Sequence, residues 1–205
     1  VTLQEYGSAV TTTKKLNLTS FNDVDAALAN IIAYNAADSI DQVVASVLTG
    51  GNNVIYAGTT PTTTDSVTAS DVIAVSDIRE AVVQLRTNKA LPRIGELYAA
   101  YLHPRQSADL RAESGTGGFQ ELSKYVDRTP FVAGAVGVIE GAFVVETPRV
   151  PFAANTNSVN VYKAVIAGRE ALAEAMGQDI TTVIGPEIDA LRRFRTIGWY
   201  YFGGF

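Results

Sequence analysis

The chain of 205 residues has no cysteine and a single histidine, His103. Without cysteine it forms neither a disulfide nor a thiolate metal site, which fits a reducing cytoplasm. One histidine excludes a metal centre built from several histidines and a mechanism with paired histidines. No apolar run approaches the ~20 residues that cross a bilayer, and no signal peptide is recognisable, so the sequence predicts a soluble protein without a membrane span.

The common sequence motifs of enzymes are also missing. The glycines at 115, 117 and 118 are not followed by the Lys-Ser/Thr pair of a phosphate-binding loop, and those at 134, 137 and 141 lack the dinucleotide-binding spacing. No Gly-x-Ser-x-Gly elbow offers a serine nucleophile. We therefore predict turns at these glycines, a structural role for His103, and no catalytic residue, cofactor or metal site.

Positive charge is absent from one third of the chain. No lysine or arginine lies between Lys15 and Arg79, whereas seven aspartates do: Asp23, Asp25, Asp38, Asp41, Asp65, Asp71 and Asp77. Basic residues come later, so surfaces of opposite sign could meet between copies of the chain, or the charges could simply be solvated. The candidate interface residues are Asp23, Asp25, Asp38, Asp41, Arg192, Arg193 and Arg195. A net charge of −5 disfavours tight, sequence-specific binding of nucleic acid.

The strongest periodic pattern predicts a helix over residues 22–48, where apolar side chains recur at helical spacing with many alanines between them. Ser20 or Asn22 caps its first turn, and Asp23 and Asp25 stand where the helix dipole favours negative charge. At ~1.5 Å per residue this helix is about 40 Å long, which is unusual in a small domain.

The rest of the chain is predicted to mix strands, short helices and loops. The elements are strands at 1–10 and 11–18, a strand with a loop over 52–70, a helix from 76 to about 88, a buried strand at 96–104, a helix at 105–112, a hairpin over 134–149, a strand at 160–167, a helix at 169–176 and a strand at 182–184. The aromatic stretch from Trp199 to Phe205 is expected to pack into a sheet. Since such residues rarely end a chain, and Val1 is no initiator methionine, we expect a fragment or a subunit completed by something else.

In this order the pieces resemble the major capsid proteins of tailed bacteriophages with the Hong Kong 97-type fold. The resemblance covers nearly the whole chain, and no single motif carries it. Its most specific parts are Ile139-Glu140-Gly141 with Val145-Glu146-Thr147, Tyr101 to Pro104, Ala167-Gly168-Arg169-Glu170-Ala171, and Ile197-Gly198-Trp199-Tyr200.

The resemblance implies an α+β fold with a long spine helix. A peripheral domain would take residues 1–75 with the helix 22–48, an axial domain 76–185, and residues 186–205 would return to the peripheral domain. The N-terminal arm and most of the extended loop of the family are expected to be absent. Arg192, Arg193 and Arg195 are the residues that we expect to form ion pairs between subunits.

The function implied is that of a major capsid protein, not an enzyme, which self-assembles into pentamers and hexamers of an icosahedral shell. The shell would enclose double-stranded DNA without sequence-specific contacts, with scaffolding or decoration proteins as further partners, after assembly in the bacterial cytoplasm. Two alternatives stay open at this point. One is an encapsulin-like nanocompartment shell, which shares the fold, and the other is an α+β enzyme.

Overall fold

A computed structural model describes residues 1–21, 23–58, 60–113 and 135–205. They form two compact units: unit 1 comprises residues 1–44 and 172–205, and unit 2 comprises residues 45–171. The divisions thus fall at 44/45 and 171/172, whereas the sequence places domain boundaries at 75/76 and 185/186. The predicted glycine-rich turn at 115–118 and the predicted cap Asn22 lie outside the described residues.

Unit 1 contains a three-stranded antiparallel sheet in the order β1-β9-β8. Its strands are β1 (Gln4–Thr13), β8 (Ala175–Ile184) and β9 (Phe194–Gly204). The aromatic stretch from Trp199 onward therefore runs in the central strand, with register partners on both sides. The prediction that these aromatics pack into a sheet is confirmed.

The core of unit 1 lies between this sheet and the long helix α2 (Val24–Leu48). Every second residue of β9 points to the same face, so Ile197, Trp199 and Tyr201 together meet Ile32 and Ala36 of α2. All five side chains are at most 5% exposed. The Trp199 indole Nε1 donates a hydrogen bond of 3.0 Å to a side-chain oxygen of the same helix, so the ring is buried without losing its polar partner.

The predicted long helix is confirmed, with its start two residues later than expected. The carboxylate of Asp23 accepts hydrogen bonds from the backbone N–H groups of Asp25 (3.1 Å) and Ala26 (3.3 Å). Asp23 is therefore the capping side chain seen in the structure, and its negative charge lies at the positive end of the helix dipole.

Unit 2 is built on a four-stranded mixed sheet in the order β3-β4-β2-β7, covered by helices. The elements are α3 (Val75–Thr87), β2 (Tyr98–Leu102), α4 (Pro104–Ala112), β3 (Ala135–Ile139), β4 (Ala142–Glu146) and β7 (Val165–Ala167), with a separate two-stranded sheet of β5 (Phe152–Ala154) and β6 (Asn160–Tyr162). Its core includes Ile78, Val82, Leu102, Leu110 and Val144, each at most 2% exposed. The predicted helices near 76–88 and 105–112 and the buried strand between them are confirmed.

The predicted hairpin over 134–149 is confirmed as the β3–β4 pair. Its turn residues, Glu140 (φ 48°) and Gly141 (φ 85°), both adopt the left-handed conformation that two-residue hairpin turns with the sheet's own twist require. Glu140 is held there by an ion pair of 2.9 Å with Arg79 of α3. Helix α3 and the hairpin turn thus fix one another.

Four sequence predictions are wrong in detail. Residues 14–19 form a short helix, α1 (Lys14–Thr19), rather than a strand, because the hydroxyl of Thr13 caps it by accepting from the N–H of Leu16 (3.2 Å). The predicted strand 160–167 is split into β6 and β7, which belong to different sheets. Among the described residues of 52–70 there is a single 3₁₀ turn (Thr64–Ser66) and no strand.

The predicted helix at 169–176 is the fourth. Glu170 has φ 59°, which breaks any helix, and β8 already begins at Ala175. Its pairing with β9 outweighs the helical propensity of the alanines and glutamates in the sequence. No helix of the described ranges combines the length and apolar character needed to span a membrane.

Candidate assembly surfaces

Three segments of unit 1 meet at one end of its sheet: helix α1, the connection 185–193 between β8 and β9, and the first turn of α2. We call these segments, with Phe194 and Arg195 at the start of β9, the loop end. The N–H of Lys14 donates to the carbonyl of Arg193 (2.7 Å), which fixes α1 against the connection. The N–H of Ile188 donates to the carbonyl of Phe194 (3.1 Å), which folds the connection back onto β9. The loop end is therefore an ordered surface.

All three candidate arginines lie at the loop end, and each pairs within its own chain. Arg192 lies 3.4 Å from Glu187, and Arg193 forms an i,i+4 pair with Asp189. Arg195 Nη1 lies 3.5 Å from Oδ2 of Asp25, and the other carboxylate oxygen, Oδ1, accepts a hydrogen bond from the Asn17 amide. The arginine side chains are 45–79% exposed, so the pairs are open to solvent and each contributes little to the stability of the monomer.

The four candidate aspartates do not form one cluster. Asp23 caps α2 and Asp25 pairs with Arg195, so both belong to the loop end. Asp38 and Asp41 lie farther along α2, where Asp38 accepts a hydrogen bond from Gln42 (3.2 Å). Of the predicted acid and base residues, the structure brings Asp25 and Arg195 together.

Large apolar side chains are exposed at the loop end, and the sequence analysis did not single them out. They are Leu16 and Leu18 of α1, Ile188 and Leu191 of the connection, and Phe194 at the start of β9. Leu18 is 77% and Leu191 is 69% exposed, and the guanidinium of Arg193 lies 5.5 Å from the centre of the Phe194 ring. Exposed apolar groups rimmed by charge are typical of protein interaction surfaces. In the sequence, this apolar surface is indicated by Leu16-Asn17-Leu18, which lies in a segment predicted to be a strand.

The second ordered surface feature lies in unit 2, where a side chain joins the β5–β6 loop to the 3₁₀ turn. The amide of Asn155 donates to the carbonyls of Val67 (2.8 Å) and Thr64 (3.3 Å). Its oxygen accepts from the N–H groups of Asn157 and Val159, both at 3.0 Å. We call this four-bonded contact the Asn155 clasp. It holds Thr64 and Val67 of the threonine-rich segment, whose described residues form no strand.

His103 has a structural role in unit 2, as the sequence predicts. Its Nδ1 accepts a hydrogen bond from the N–H of Arg105 (3.1 Å) and so caps α4. The ring lies 4.5 Å from that of Tyr162 and 6.1 Å from that of Phe152. These contacts attach the two-stranded sheet to the start of α4.

Among the ionisable groups with perturbed pKa values, Tyr201 and Asp77 are shifted mainly by burial and support the two units. Burial, followed by the hydrogen bond of 2.9 Å that its hydroxyl donates to Glu174, raises the pKa of Tyr201 to about 12. Burial, with smaller contributions from Glu113 and Glu80, raises the pKa of Asp77 above its ordinary value, although a backbone N–H at the start of α3 opposes this. Both side chains support structure: one anchors β9 and the other caps a helix.

Two hollows lie on the surface of the described residues. One of about 250 Å³ lies beside Val72 and Glu113, and one of about 380 Å³ lies beside Gly7, Val183 and Tyr200 on the sheet of unit 1. Both are open to solvent. Within the described ranges, no group of histidine or carboxylate side chains is arranged to hold a metal ion.

Comparisons with known proteins give one consistent result. A family model described as phage capsid protein matches residues 2–204. The structure resembles the capsid of Ralstonia phage GP4, with a TM-score of 0.73 and 14% identity over 98% of this chain and 68% of that one. It also resembles the head of Helicobacter pylori bacteriophage KHP40 and the capsid of cyanophage P-SCSP1u. Each has a TM-score of 0.67 over 98% of this chain and 67% of the other, at 16% and 17% identity respectively. No curated protein matches the sequence.

Proposed function

Because the chain belongs to the phage capsid protein family, we propose that copies of it associate into the pentamers and hexamers of an icosahedral shell. The protein is a major capsid protein of a tailed bacteriophage, and its fold is of the Hong Kong 97 type. The observation that carries this conclusion is the family match over residues 2–204, which includes both structural units.

We assign unit 1 to the peripheral domain and unit 2 to the axial domain. Two features support this assignment. Unit 1 holds the first 21 residues of the 25-residue helix α2 together with a narrow three-stranded sheet, as expected for a domain built on the spine helix. Unit 2 holds the mixed sheet with α3 and α4, the elements expected in the axial domain. Residues 172–205 belong to unit 1, whereas the resemblance implies a return to the peripheral domain for residues 186–205.

The charged candidates are proposed to act between subunits as well as within one. The pairs of Arg192, Arg193 and Arg195 are exposed, and exposed ion pairs exchange partners at little cost. In a shell, a carboxylate of a neighbouring subunit can share or replace the internal partner. Asp38 and Asp41 are proposed as acidic contacts on α2, some three to four helical turns from Asp25 and outside the loop end.

The shell is proposed to enclose double-stranded DNA without reading its sequence, to use scaffolding or decoration proteins, and to assemble in the host cytoplasm. The net charge of −5 supports weak rather than tight binding of DNA. A structural rather than catalytic role is supported by the open hollows and the helix-capping role of the only histidine. Retention on immobilised DNA that falls steeply with salt would count against this view of the DNA contacts.

The encapsulin-like nanocompartment is not favoured. The family that matches the chain is one of phage capsid proteins, and the resembling structures named above are phage heads and capsids. No specific observation on this chain favours the alternative. A cargo enzyme that copurified in stoichiometric amount with the assembled protein would do so.

The direct test is the mass of the purified chain by light scattering, with negative-stain microscopy of the same sample over a range of concentrations. We expect rings of five or six, sheets or closed shells. A monomer at every concentration would contradict self-assembly of this chain, whereas assemblies of another symmetry would contradict the pentamers and hexamers alone.

A further inference from the structure

We infer that the loop end of unit 1 is a contact surface for a second copy of this chain. The inference rests on the proposed self-assembly and deepens it by naming the residues that meet. It differs from the ion pairs expected from sequence, because the central contact is apolar and the charges form its rim.

The apolar centre is the first argument. Leu16, Leu18, Ile188 and Leu191 expose 47–77% of their surface, and Phe194 exposes 37%. Isolated exposed leucines need no explanation, but backbone hydrogen bonds bring these residues to one end of one sheet. Covering each such side chain removes apolar surface from water, which is the main driving force of protein association.

The charged residues around the apolar side chains indicate which partner fits the loop end. Lys14 and Lys15 of α1 and the three arginines supply positive charge, while Asp25, Glu187 and Asp189 supply negative charge. A surface that carries both signs around an apolar centre can be complementary to a rotated copy of itself, since each sign can face its opposite across a two-fold axis. A strongly basic or strongly acidic partner would instead meet like charges on half of the rim. A second copy therefore fits better than DNA or a polybasic protein.

Backbone hydrogen bonds hold the loop end in one conformation. The hydrogen bonds Lys14 to Arg193 and Ile188 to Phe194 fix the backbone on both sides of the patch. The Arg192 N–H also donates to the carbonyl of Asp189 (2.7 Å), which closes the turn that presents Leu191. A preorganised surface loses little conformational freedom on binding.

The test compares two double variants of equal chemistry in light scattering and negative-stain microscopy. Leu18→Ser with Leu191→Ser removes apolar surface from the loop end. Val83→Ser with Leu91→Ser removes exposed apolar groups of similar size from unit 2, where the side chains are 56% and 61% exposed. We expect the first variant to need a concentration about 10-fold higher or more before assemblies appear, and the control to assemble like the unaltered chain.

Disulfide trapping provides a second measurement, because the chain has no cysteine of its own. In assembled protein, Leu18→Cys with Leu191→Cys is expected to give covalent dimers or larger species on mild oxidation, whereas Leu91→Cys is not. If the serine variant assembles normally and the cysteine variant stays uncrosslinked, the loop end is not a contact and the inference is overturned, while the proposed function stands. If the unaltered chain never assembles, both fail.

Discussion

The Asn155 clasp provides the sharpest test of how this structure is held together. Asn155→Ala removes four hydrogen bonds at once, two within the β5–β6 loop and two to the 3₁₀ turn some ninety residues earlier. A hydrogen bond contributes a net ~0.5–1.5 kcal/mol, and water replaces part of that at a half-buried position. We therefore expect Asn155→Ala to lower the free energy of unfolding of unit 2 by about 2–3 kcal/mol.

Asn155→Asp separates the two halves of the clasp. Its carboxylate still accepts from the N–H groups of Asn157 and Val159, so the loop keeps its own turn. It has no donor for the carbonyls of Thr64 and Val67, and it would place a negative oxygen against them. We expect Asn155→Asp to release the 3₁₀ turn as completely as Asn155→Ala does, while the loop stays folded.

The assay combines urea denaturation with thermolysin digestion under native conditions. The threonine-rich segment contains hydrophobic cleavage sites at Val54, Ile55 and Val67. Asn157→Ala is the matched control, since it removes one side-chain bond from the same loop, of 3.0 Å to the carbonyl of Asp65. Faster cleavage in both Asn155 variants but not in the control is expected. If Asn155→Ala were no more destabilising than the control, the clasp would not hold the segment and the reasoning would be refuted.

Three further predictions concern burial and titration. Ile32→Ala, at the 4%-exposed core position, is expected to cost about 2–4 kcal/mol, whereas Ile31→Ala, at the 61%-exposed neighbour, should cost under ~0.5 kcal/mol; equal losses in thermal unfolding would contradict the described face of α2. The folded pKa of Tyr201 is raised to about 12, so the contribution of its protonated hydroxyl to stability is present below pH ~10 and is lost between about pH 10 and 12. Tyr201→Phe also removes the hydrogen bond to Glu174, and in this variant the free energy of unfolding should fall less steeply over the same pH range. The folded pKa of Asp77 is raised, so the contribution of this side chain to stability is greatest below the ordinary aspartate pKa and falls as pH rises through the folded pKa. Asp77→Asn keeps an acceptor for the N–H at the helix start, so the stability of the variant relative to the unaltered chain should increase with pH in urea titrations. A stability difference that does not change with pH would count against the burial argument.

The sequence was sufficient for elements whose local pattern and packing agree. The long helix, α3 and the β3–β4 hairpin have clear periodicity, a cap or turn glycine, and one apolar face. The aromatic stretch was correctly assigned to a sheet because those side chains need a partner surface. Two of the most specific parts of the family resemblance, Ile139-Glu140-Gly141 and Ile197-Gly198-Trp199-Tyr200, lie in these elements.

The sequence alone did not predict the segments whose conformation depends on pairing with residues far away in the chain. Residues 169–176 have helical composition, yet β9 draws the chain from Ala175 onward into a strand. Residues 14–19 alternate like a strand, yet the Thr13 hydroxyl starts a helix there. The apolar centre of the loop end depends on hydrogen bonds between segments some 180 residues apart, such as Lys14 to Arg193, which no local pattern encodes. Asn155 was missed for the same reason.

The position of β9 in the middle of the unit 1 sheet has a consequence for synthesis on the ribosome. Unit 2 is one continuous stretch that is complete at residue 171, whereas β1 and β8 have no shared partner until β9 has been made. About thirty further residues separate these events, which is a few seconds at ~5–20 residues per second. The contacts that order α1 also require Arg193, so a nascent chain cannot present the finished loop end to its neighbours. The loop end can therefore take part in assembly only after the 185–193 connection and β9 have been synthesised.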